Sequence, residues 1–284
     1  MAALSVDDLQ AALRSPVAYV RYLAGQSLAR RGDAGRQAII AGLPHADWRV
    51  RSACCDALAF GKTDVTPAVM AQLTKLLADE HPWVRCRAAT ALGAVGVPDA
   101  ATATALVAAT RDSDPWVRIA ALGAVHRVAT DPKVVLAAVT GALSVPNTSF
   151  APVGRALKLI EKYGPNDPTV VPALIFVAEH PGEGMGAASL NEVLELLARL
   201  DPAGTRAVPV LVRVAAGGYA YDRLAGNPRL RAIELLGAYG ARAAAARSVL
   251  ETILQGTADK EAPLRAAASE SLKKIPEVPA LQGR

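Results

Sequence analysis

Residues 81–96 read HPWVRCRAATALGAVG, and residues 113–128 read SDPWVRIAALGAVHRV. The second stretch repeats the PWVR of the first, and Ala, Leu and Gly follow at nearly the same spacing. A catalytic motif is normally written once in a chain. A motif that returns with its surroundings therefore indicates a repeated structure rather than a single site.

The Arg of PWVR anchors a longer pattern, with Ala three residues later, a branched aliphatic residue after seven and a small residue after ten or eleven. These spacings place the residues on one face of an α-helix. The anchor position recurs eight times: Arg21, Arg51, Arg85, Arg118, Val153, Leu190, Arg229 and Arg265. The mean spacing is about 35 residues with no alternating strand pattern, which predicts a solenoid of helix pairs.

Prolines mark where the predicted helices begin. Three dipeptides put a capping side chain before a proline at the first position of a second helix: Ser15-Pro16, Asp114-Pro115 and Asn227-Pro228. His81 is predicted to start a helix as well. Three stretches fit the first helix of a pair and carry a proline near their start: 65–79, 169–180 and 206–217.

The composition favours an elongated protein. Of the 284 residues, 52% are hydrophobic but only 4% are aromatic, and small aliphatic residues suit closely spaced helices. The net charge of +5 is compatible with an acidic partner, yet it is far below that of a histone-like tail. Basic residues are mostly arginine, 23 of 31, which fits a GC-rich genome as well as it fits phosphate recognition.

The cysteines and the N-terminus indicate a cytoplasmic protein. Cys54 and Cys55 are adjacent and Cys86 is distant, so they cannot form the spaced framework of a secreted scaffold. The N-terminal MAALSVDDLQAALR has acids where an export signal needs basic residues. Prolines and polar residues interrupt the longest uncharged stretch, 134–154, so we expect no membrane segment.

A proline in the first helix, an Asp at the inter-helix turn and an Arg six residues later recur as a set. Three copies keep the six-residue spacing: Asp79/Arg85, Asp112/Arg118 and Asp259/Arg265. In this set the chain resembles the HEAT-repeat family, particularly the short bacterial form of phycobilin-lyase-like proteins, over residues 4–275. The resemblance implies an all-α fold, a right-handed α-solenoid of about seven to eight HEAT-like helix pairs. It also implies a structural ladder of these Asp and Arg residues between neighbouring repeats.

The whole chain, 1–284, is predicted to be one solenoid. It divides into regular repeats, divergent repeats with Gly-rich insertions, regular C-terminal repeats and a tail, at 1–130, 131–228, 229–275 and 276–284. Val153 and Leu190 replace the anchor arginine, so the ladder should be interrupted there. The Gly-rich segments 180–187 and 215–227 are either drifted loops or insertions that carry contact residues.

Several residues are candidates for binding. Arg21, Arg51 and Arg229 have no Asp six residues upstream, so each guanidinium either binds an outside anion or pairs with the Asp of a neighbouring repeat. Trp83 and Trp116 occupy the same place in consecutive repeats. They either pack against the inter-helix turn or form a stacking and cation–π surface.

Tyr219, Tyr221 and Asp222 lie in the second Gly-rich segment and complete the candidate binding residues. Asp222 is the nearest candidate for the catalytic acid of a base-excision enzyme. No GxSxG elbow is present, and the cysteines and histidines lack metal-ligand spacing. The sequence therefore names no catalytic residue, metal or cofactor.

A non-enzymatic scaffold or adaptor that binds another protein is the expected function. Two alternatives stay open: a nucleic-acid-binding HEAT-like protein, such as a DNA-repair glycosylase-like enzyme, and a chromophore or cofactor lyase-like protein that depends on Cys86 or a histidine. The first helix, SVDDLQAALR, is short and only partly polar. Either it packs against more protein, or the chain is a repeat domain of a longer one.

Overall fold

A computed structural model describes residues 4–61, 65–145, 151–181, 185–218, 221, 227–258 and 261–277, with side chains from 153 onward in the third range. These residues are largely helical and form no strand. The helices are α1 Val6–Ala12, α2 Ala18–Ala29, α3 Gly32–Gly42, α4 Trp48–Gly61, α5 Pro67–Lys75, α6 Pro82–Val95, α7 Ala100–Ala109, α8 Pro115–Val128, α9 Pro132–Leu143, α10 Ala151–Tyr163, α11 Val170–Glu179, α12 Ala187–Leu200, α13 Ala207–Ala216, α14 Pro228–Tyr239, α15 Arg247–Leu254 and α16 Ala262–Leu272. Two 3₁₀ segments are Leu76–Ala78 and Gly240–Ala246.

The chain forms two compact units, Met1–Ala142 and Leu143–Arg284. In the first unit, the second helices α2, α4, α6 and α8 of successive pairs pack side by side. In the second unit, α10, α12, α14 and α16 follow one another in the same way. Both units therefore have the predicted all-α architecture of stacked helix pairs, each of which buries its apolar face against its neighbours.

Small residues let the second helices approach closely. A Cβ added to Gly25 of α2 would lie 3.2 Å from the carbonyl oxygen of Ala53 in α4. One added to Gly93 of α6 would lie 2.8 Å from the Cα of Ala124 in α8. The abundance of small residues thus follows from a stack in which backbone meets backbone.

Two of the predicted helix starts are confirmed at the PWVR motifs. Helix α6 begins at Pro82, and the His81 ring accepts a hydrogen bond from the Trp83 amide at 3.2 Å. Helix α8 begins at Pro115, and the Asp114 carboxylate accepts one from the Trp116 amide at 2.8 Å. In both helices the proline takes the first position, where the missing N–H leaves no intrahelical bond unmade.

The other two starts differ from the prediction. Helix α2 begins at Ala18, because Ser15 Oγ accepts the Val17 amide at 3.2 Å and so holds a turn before the helix. Helix α14 does begin at Pro228, but Asn227 has a φ of 49° and its side chain makes no capping bond. The Asn227-Pro228 dipeptide therefore predicted the position where α14 begins, but the predicted capping bond from the Asn227 side chain is not formed.

Candidate functional site

Two of the four anchor arginines of the first unit, Arg51 and Arg85, each pair with the aspartate of the next repeat. Arg51 donates from Nε and Nη2 to the two carboxylate oxygens of Asp79, at 2.8 and 2.9 Å. Arg85 does the same to Asp112, at 2.7 and 2.8 Å. Both pairs are largely buried, and a planar guanidinium matches a carboxylate in this two-bond geometry.

Each guanidinium also holds the turn of its own repeat. Arg51 Nη1 donates to the carbonyl oxygens of His45 and Ala46, at 2.9 and 2.8 Å. The same two bonds recur at the other anchors, from Arg21 to Ser15 and Pro16, from Arg85 to Asp79 and Glu80, and from Arg118 to Asp112 and Ser113. The residues Arg51, Asp79, Arg85 and Asp112 with these turns form what we call the turn ladder.

The electrostatics of the turn ladder favour its charged form. The hydrogen bonds that Arg51 and Arg85 donate to Asp79 and Asp112 respectively raise the pKa of each guanidinium. Burial acts to raise the pKa of Asp112, but bonds from Arg85 and the Asp114 amide outweigh it and hold this pKa below its ordinary value. At Arg118, where Nε is buried without a partner among the described residues, burial lowers the pKa.

At the start of the first unit, the turn ladder lacks a carboxylate. His45 occupies the place of Asp79 and Asp112, and its Nδ1 accepts the Asp47 amide at 3.0 Å, as Asp79 accepts the His81 amide at 2.9 Å. Arg21 keeps its bonds to the turn, and its guanidinium carbon lies 5.9 Å from the centre of the Trp48 ring. Within the described chain, Arg21 makes no ion pair.

Two other candidate arginines are occupied inside the chain. Arg51 belongs to the turn ladder, and Arg229 lies 3.4 Å from the carboxylate of Glu261 in the next repeat while Nε donates to the Ala215 carbonyl. Arg265 Nη1 donates to the Ala258 carbonyl at 2.7 Å. Its predicted partner, Asp259, lies outside the described residues.

Aromatic side chains stand at the starts of the second helices in the first unit. Tyr19, Trp83 and Trp116 are 67%, 41% and 61% exposed and occupy equivalent positions, two residues before the anchor. Trp48, one position earlier in its repeat, stacks on His81 with ring centroids 3.8 Å apart. We call Tyr19, Trp48, Trp83 and Trp116 the aromatic row.

Arginines lie against the aromatic row. The Arg87 guanidinium is 4.5 Å from the centre of the Trp83 ring, and Arg49 is 5.0 Å from that of Trp48. Such cation–π contacts hold the indole in place while the rest of its surface stays open to solvent. Two rings of the row, Trp48 and Trp83, are therefore held in place by neighbouring arginines.

Sequence reasoning missed a second kind of contact between repeats, on the faces of the second helices. Asp56 pairs with Arg87 at 3.4 Å, and Glu195 with Arg231 at 2.8 Å. Burial raises the pKa of Asp56, and Arg87 lowers it by less. Both pairs join the fifth residue after one anchor to the second after the next, so aligning the repeats residue by residue would have revealed them.

The Gly-rich candidates are only partly described. The Tyr221 hydroxyl donates to the Ala178 carbonyl at 3.1 Å, and burial raises the pKa of this phenol. Tyr221 therefore ties its segment to helix α11. Tyr219 and Asp222 lie outside the described residues.

The thiols are unsuited to nucleophilic chemistry at neutral pH. Burial raises the pKa of Cys54 to about 12 and that of Cys55 well above its usual range. The pKa of the half-buried Cys86 is raised too, and its Sγ lies 3.6 Å from the Trp116 carbonyl. Since the thiolate is the reactive form, these environments do not favour covalent attachment of a chromophore.

An open cavity of about 560 Å³ lies in the second unit, on α10, α12 and α14. Leu157, Leu196 and Leu235 contribute apolar surface, and Lys158 and Glu192 are among its charged residues. Among the described residues, no cluster of three or more His, Cys, Asp or Glu could hold a metal ion. No described helix is both long and apolar enough to span a membrane.

Stacked helix pairs joined by recurring arginine–carboxylate bonds define an α-solenoid repeat protein. The family model described as HEAT repeats matches residues 6–79, 39–125 and 70–151. These matches together cover half of the chain, so the chain belongs to the HEAT-repeat family, and the resemblance drawn from its turns is confirmed. No curated protein matches it significantly in sequence.

Solved structures share the fold at low identity. A chain of the full-length AP-3 complex, a homology model, matches at 16% identity and a TM-score of 0.58, over 96% of this chain and 51% of that one. YIBA_ECOLI from E. coli matches at 17% and 0.54, over 95% and 93%. Kap121p bound to Ste12p matches at 14% and 0.57, over 95% and 33%. This chain thus spans about half of the AP-3 chain and a third of Kap121p.

Proposed function

We propose that this HEAT-repeat chain is a protein-binding scaffold that presents the aromatic row to a partner. The observation that carries the proposal is the exposure of Tyr19, Trp83 and Trp116 at equivalent positions of successive repeats. Exposed Trp and Tyr side chains on a rigid support are typical of the residues that dominate binding energy at protein interfaces.

The turn ladder supplies that rigid support. Trp83 and Trp116 are each the second residue of a helix whose anchor, Arg85 or Arg118, bonds the preceding turn. Because the guanidinium fixes the turn and the helix start together, little side-chain or loop entropy is lost when a partner covers the ring. In the solved structures, the AP-3 chain belongs to a complex and Kap121p is bound to Ste12p, which supports a scaffold role for the shared fold.

The arginines do not add comparable support for nucleic-acid binding. Arg51 and Arg229 have carboxylate partners within the chain, so their charge is compensated. Asp114 also lies directly beside Trp116 in the aromatic row, where its carboxylate would repel a phosphate. We further propose a cytoplasmic location, which three free thiols support.

The test compares partner recovery by matched variants. The tagged wild type, the Trp83→Ala/Trp116→Ala double variant and Val97→Ala would be used to capture proteins from nuclease-treated extract of the source cells. Val97 is 43% exposed, a fraction similar to the 41% of Trp83, but it is not part of the aromatic row. We expect a specific protein to be retained by the wild type and Val97→Ala and lost from the double variant.

Equal recovery of the same protein by the wild type, the double variant and Val97→Ala would contradict the proposal. Binding to duplex or single-stranded DNA that weakens steeply with salt, and that the double variant loses, would favour the nucleic-acid alternative instead. Far-ultraviolet circular dichroism must show equal helicity for the three chains, so that a loss of binding is not a loss of fold.

A further inference from the structure

Helix α2 exposes residues that its counterparts bury. Val20 is 39% exposed, whereas the equivalent Val50, Val84 and Val117 are 4%, 0% and 0% exposed. Each of these valines directly precedes its anchor arginine. The first repeat therefore has the core residue of an inner repeat without the cover that an inner repeat receives.

Two further positions repeat this contrast within the same helix. Tyr22 and Leu23 are 47% and 43% exposed, whereas the corresponding Ser52 and Ala53 of α4 are 4% and 5% exposed. The exposed positions carry the larger side chains. A cluster of exposed large apolar residues of this kind marks an interaction surface.

The uncovered surface has the shape of a helix-packing face. On the other side of α2, Gly25 receives α4 at Ala53 and Ala57, which are the second and sixth residues after the anchor Arg51. The residues of α2 at those two places are Leu23 and Ser27. Leu23 and Ser27 of α2 are therefore equivalent to the two α4 residues that pack against α2. Because those α4 residues contact a helix, we expect the equivalent face of α2 to fit a helix as well.

The charge around this face selects an acidic occupant. Residues 9–32 contain four arginines and no Asp or Glu. Arg21 and Arg30 lie against aromatic rings of α4, and Arg14 and Arg31 are the other two, both exposed. The nearest acids along the chain are Asp8, which is bonded to Ser5, and Asp33, which is paired with Arg36. A second copy of the chain packed symmetrically on this face would bring the same arginines together, which disfavours self-association.

We infer that the face of α2 formed by Val20, Leu23 and Ser27, with Tyr22 beside it, docks an amphipathic helix of a partner protein, with an apolar stripe flanked by acidic residues. The inference rests on the proposed scaffold function and names a second contact surface for it. Apolar burial supplies the affinity, and the arginines select the charge.

A designed peptide pair tests the charge and the shape together. Both peptides are amphipathic helices of about 18 residues, long enough to form in water, with the same Leu and Ala stripe. One has Glu on its flanks and the other has Lys. Fluorescence anisotropy of the labelled peptides with the full chain should show at least tenfold tighter binding of the Glu peptide.

Matched variants locate the binding. Leu23→Glu should weaken the Glu peptide tenfold or more, whereas Leu254→Glu should leave it unchanged, because Leu254 is also 43% exposed but lies on α15. Circular dichroism and Trp fluorescence should show that both variants fold. Equal binding of the two peptides, no binding, or equal loss in both variants would overturn the inference.

Two other occupants are tested in parallel. A dimer in sedimentation equilibrium that Leu23→Glu abolishes would assign the face to a second copy. Binding to phosphatidylserine vesicles that Leu23→Glu abolishes, without peptide binding, would assign it to a membrane surface. The Trp83→Ala/Trp116→Ala variant should keep the Glu peptide, so a failure of the scaffold proposal at the aromatic row is distinguishable from a failure here.

Discussion

The two units stack helix pairs in the same way but join their repeats with different bonds. In the first unit, buried guanidinium groups connect successive turns through Arg51–Asp79 and Arg85–Asp112. In the second unit, the first two anchors, Val153 and Leu190, are apolar and fully buried, and the third, Arg229, donates one hydrogen bond to Glu261 of the next repeat, at 3.4 Å. The fold thus accepts either a charged or an apolar residue at the anchor position.

The second unit fixes one of its turns with a carboxylate and a phenol instead. Asp201 is buried and accepts the amides of Arg206 and Ala207, at 2.7 and 2.8 Å. The Tyr239 hydroxyl, from the next second helix, lies 3.0 and 2.8 Å from the carbonyl oxygens of Ala198 and Asp201, and its single hydrogen is shared between them. Burial raises the pKa of Tyr239 to about 12, so this hydroxyl is a neutral donor.

This comparison distinguishes interactions that stabilise the stack of repeats from interactions that fix how neighbouring repeats align. At Val153 and Leu190 the anchor position itself contributes apolar burial instead of an ion pair. Buried ion pairs add little net stability, because desolvation offsets their attraction, yet they penalise any packing that leaves a charge unpaired. The unit with the ladder is also the unit with the aromatic row, which needs defined positions.

The largest effect is expected from removing one carboxylate of the turn ladder. Asp79→Ala leaves the Arg51 guanidinium buried without its two-bond partner, and the exposed Glu80, at 3.3 Å from Nη2, supplies only one bond. The free energy of unfolding of the first unit should fall by about 3 kcal/mol or more. All three tryptophans of the chain lie in this unit, so Trp fluorescence during urea unfolding measures it.

Glu195→Ala is the matched control in the second unit. It breaks a pair with Arg231 in which both side chains are more than a third exposed, and such pairs contribute about 0–1 kcal/mol. Circular dichroism should show a small change and Trp fluorescence none. Equal losses in the two variants would contradict the distinction between a buried ladder and surface pairs.

A medium effect on stability is expected from removing the Tyr239 hydroxyl in the second unit. Tyr239→Phe keeps the buried ring but removes the hydroxyl, leaving the carbonyl groups of Ala198 and Asp201 without this donor. The cost should be about 2 kcal/mol, seen as a lower urea midpoint by circular dichroism. If Trp fluorescence shifted as much as circular dichroism, the loss would not be local to the second unit.

A gain is expected where the ladder is incomplete. His45→Asp places a carboxylate at the position of Asp79 and Asp112, where it can accept both the Asp47 amide and the free edge of Arg21. The first unit should gain about 1 kcal/mol, measured by Trp fluorescence in urea. His45→Asn, which lacks the charge, should gain less, and a destabilised Asp variant would show that Arg21 cannot reach.

Much of the fold could be read from the sequence because the repeat period and the helical spacing are local patterns. Prolines located α6 and α8 correctly, since proline at the first helical position is favoured by its own geometry. Ser15-Pro16 failed because Ser15 bonds within the turn instead, and one sequence cannot decide between two acceptable local bonds.

The candidate site was harder to predict because its contacts join different repeats. The sequence left open whether Arg51 pairs within the chain or binds an outside anion, and only the stacking brings Asp79 to it. Exposure of Trp83 and Trp116 likewise depends on what lies beside each helix start. Val20 is the clearest case, because its sequence environment matches Val84 while its surroundings in the fold do not.

The smallest expected effect is the acid sensitivity of the turn ladder. The pKa of Asp112 is held below its ordinary value in the folded chain, so below about pH 3.9 the unfolded chain binds the proton more readily. The stabilisation is therefore complete above that pH and is lost as the pH falls through the lowered folded pKa. Trp fluorescence in urea from pH 7 to 2.5 should show a shallower acid decline for Asp112→Asn than for the wild type. Identical slopes would mean that the protonation of Asp112 does not couple to the folding of the first unit.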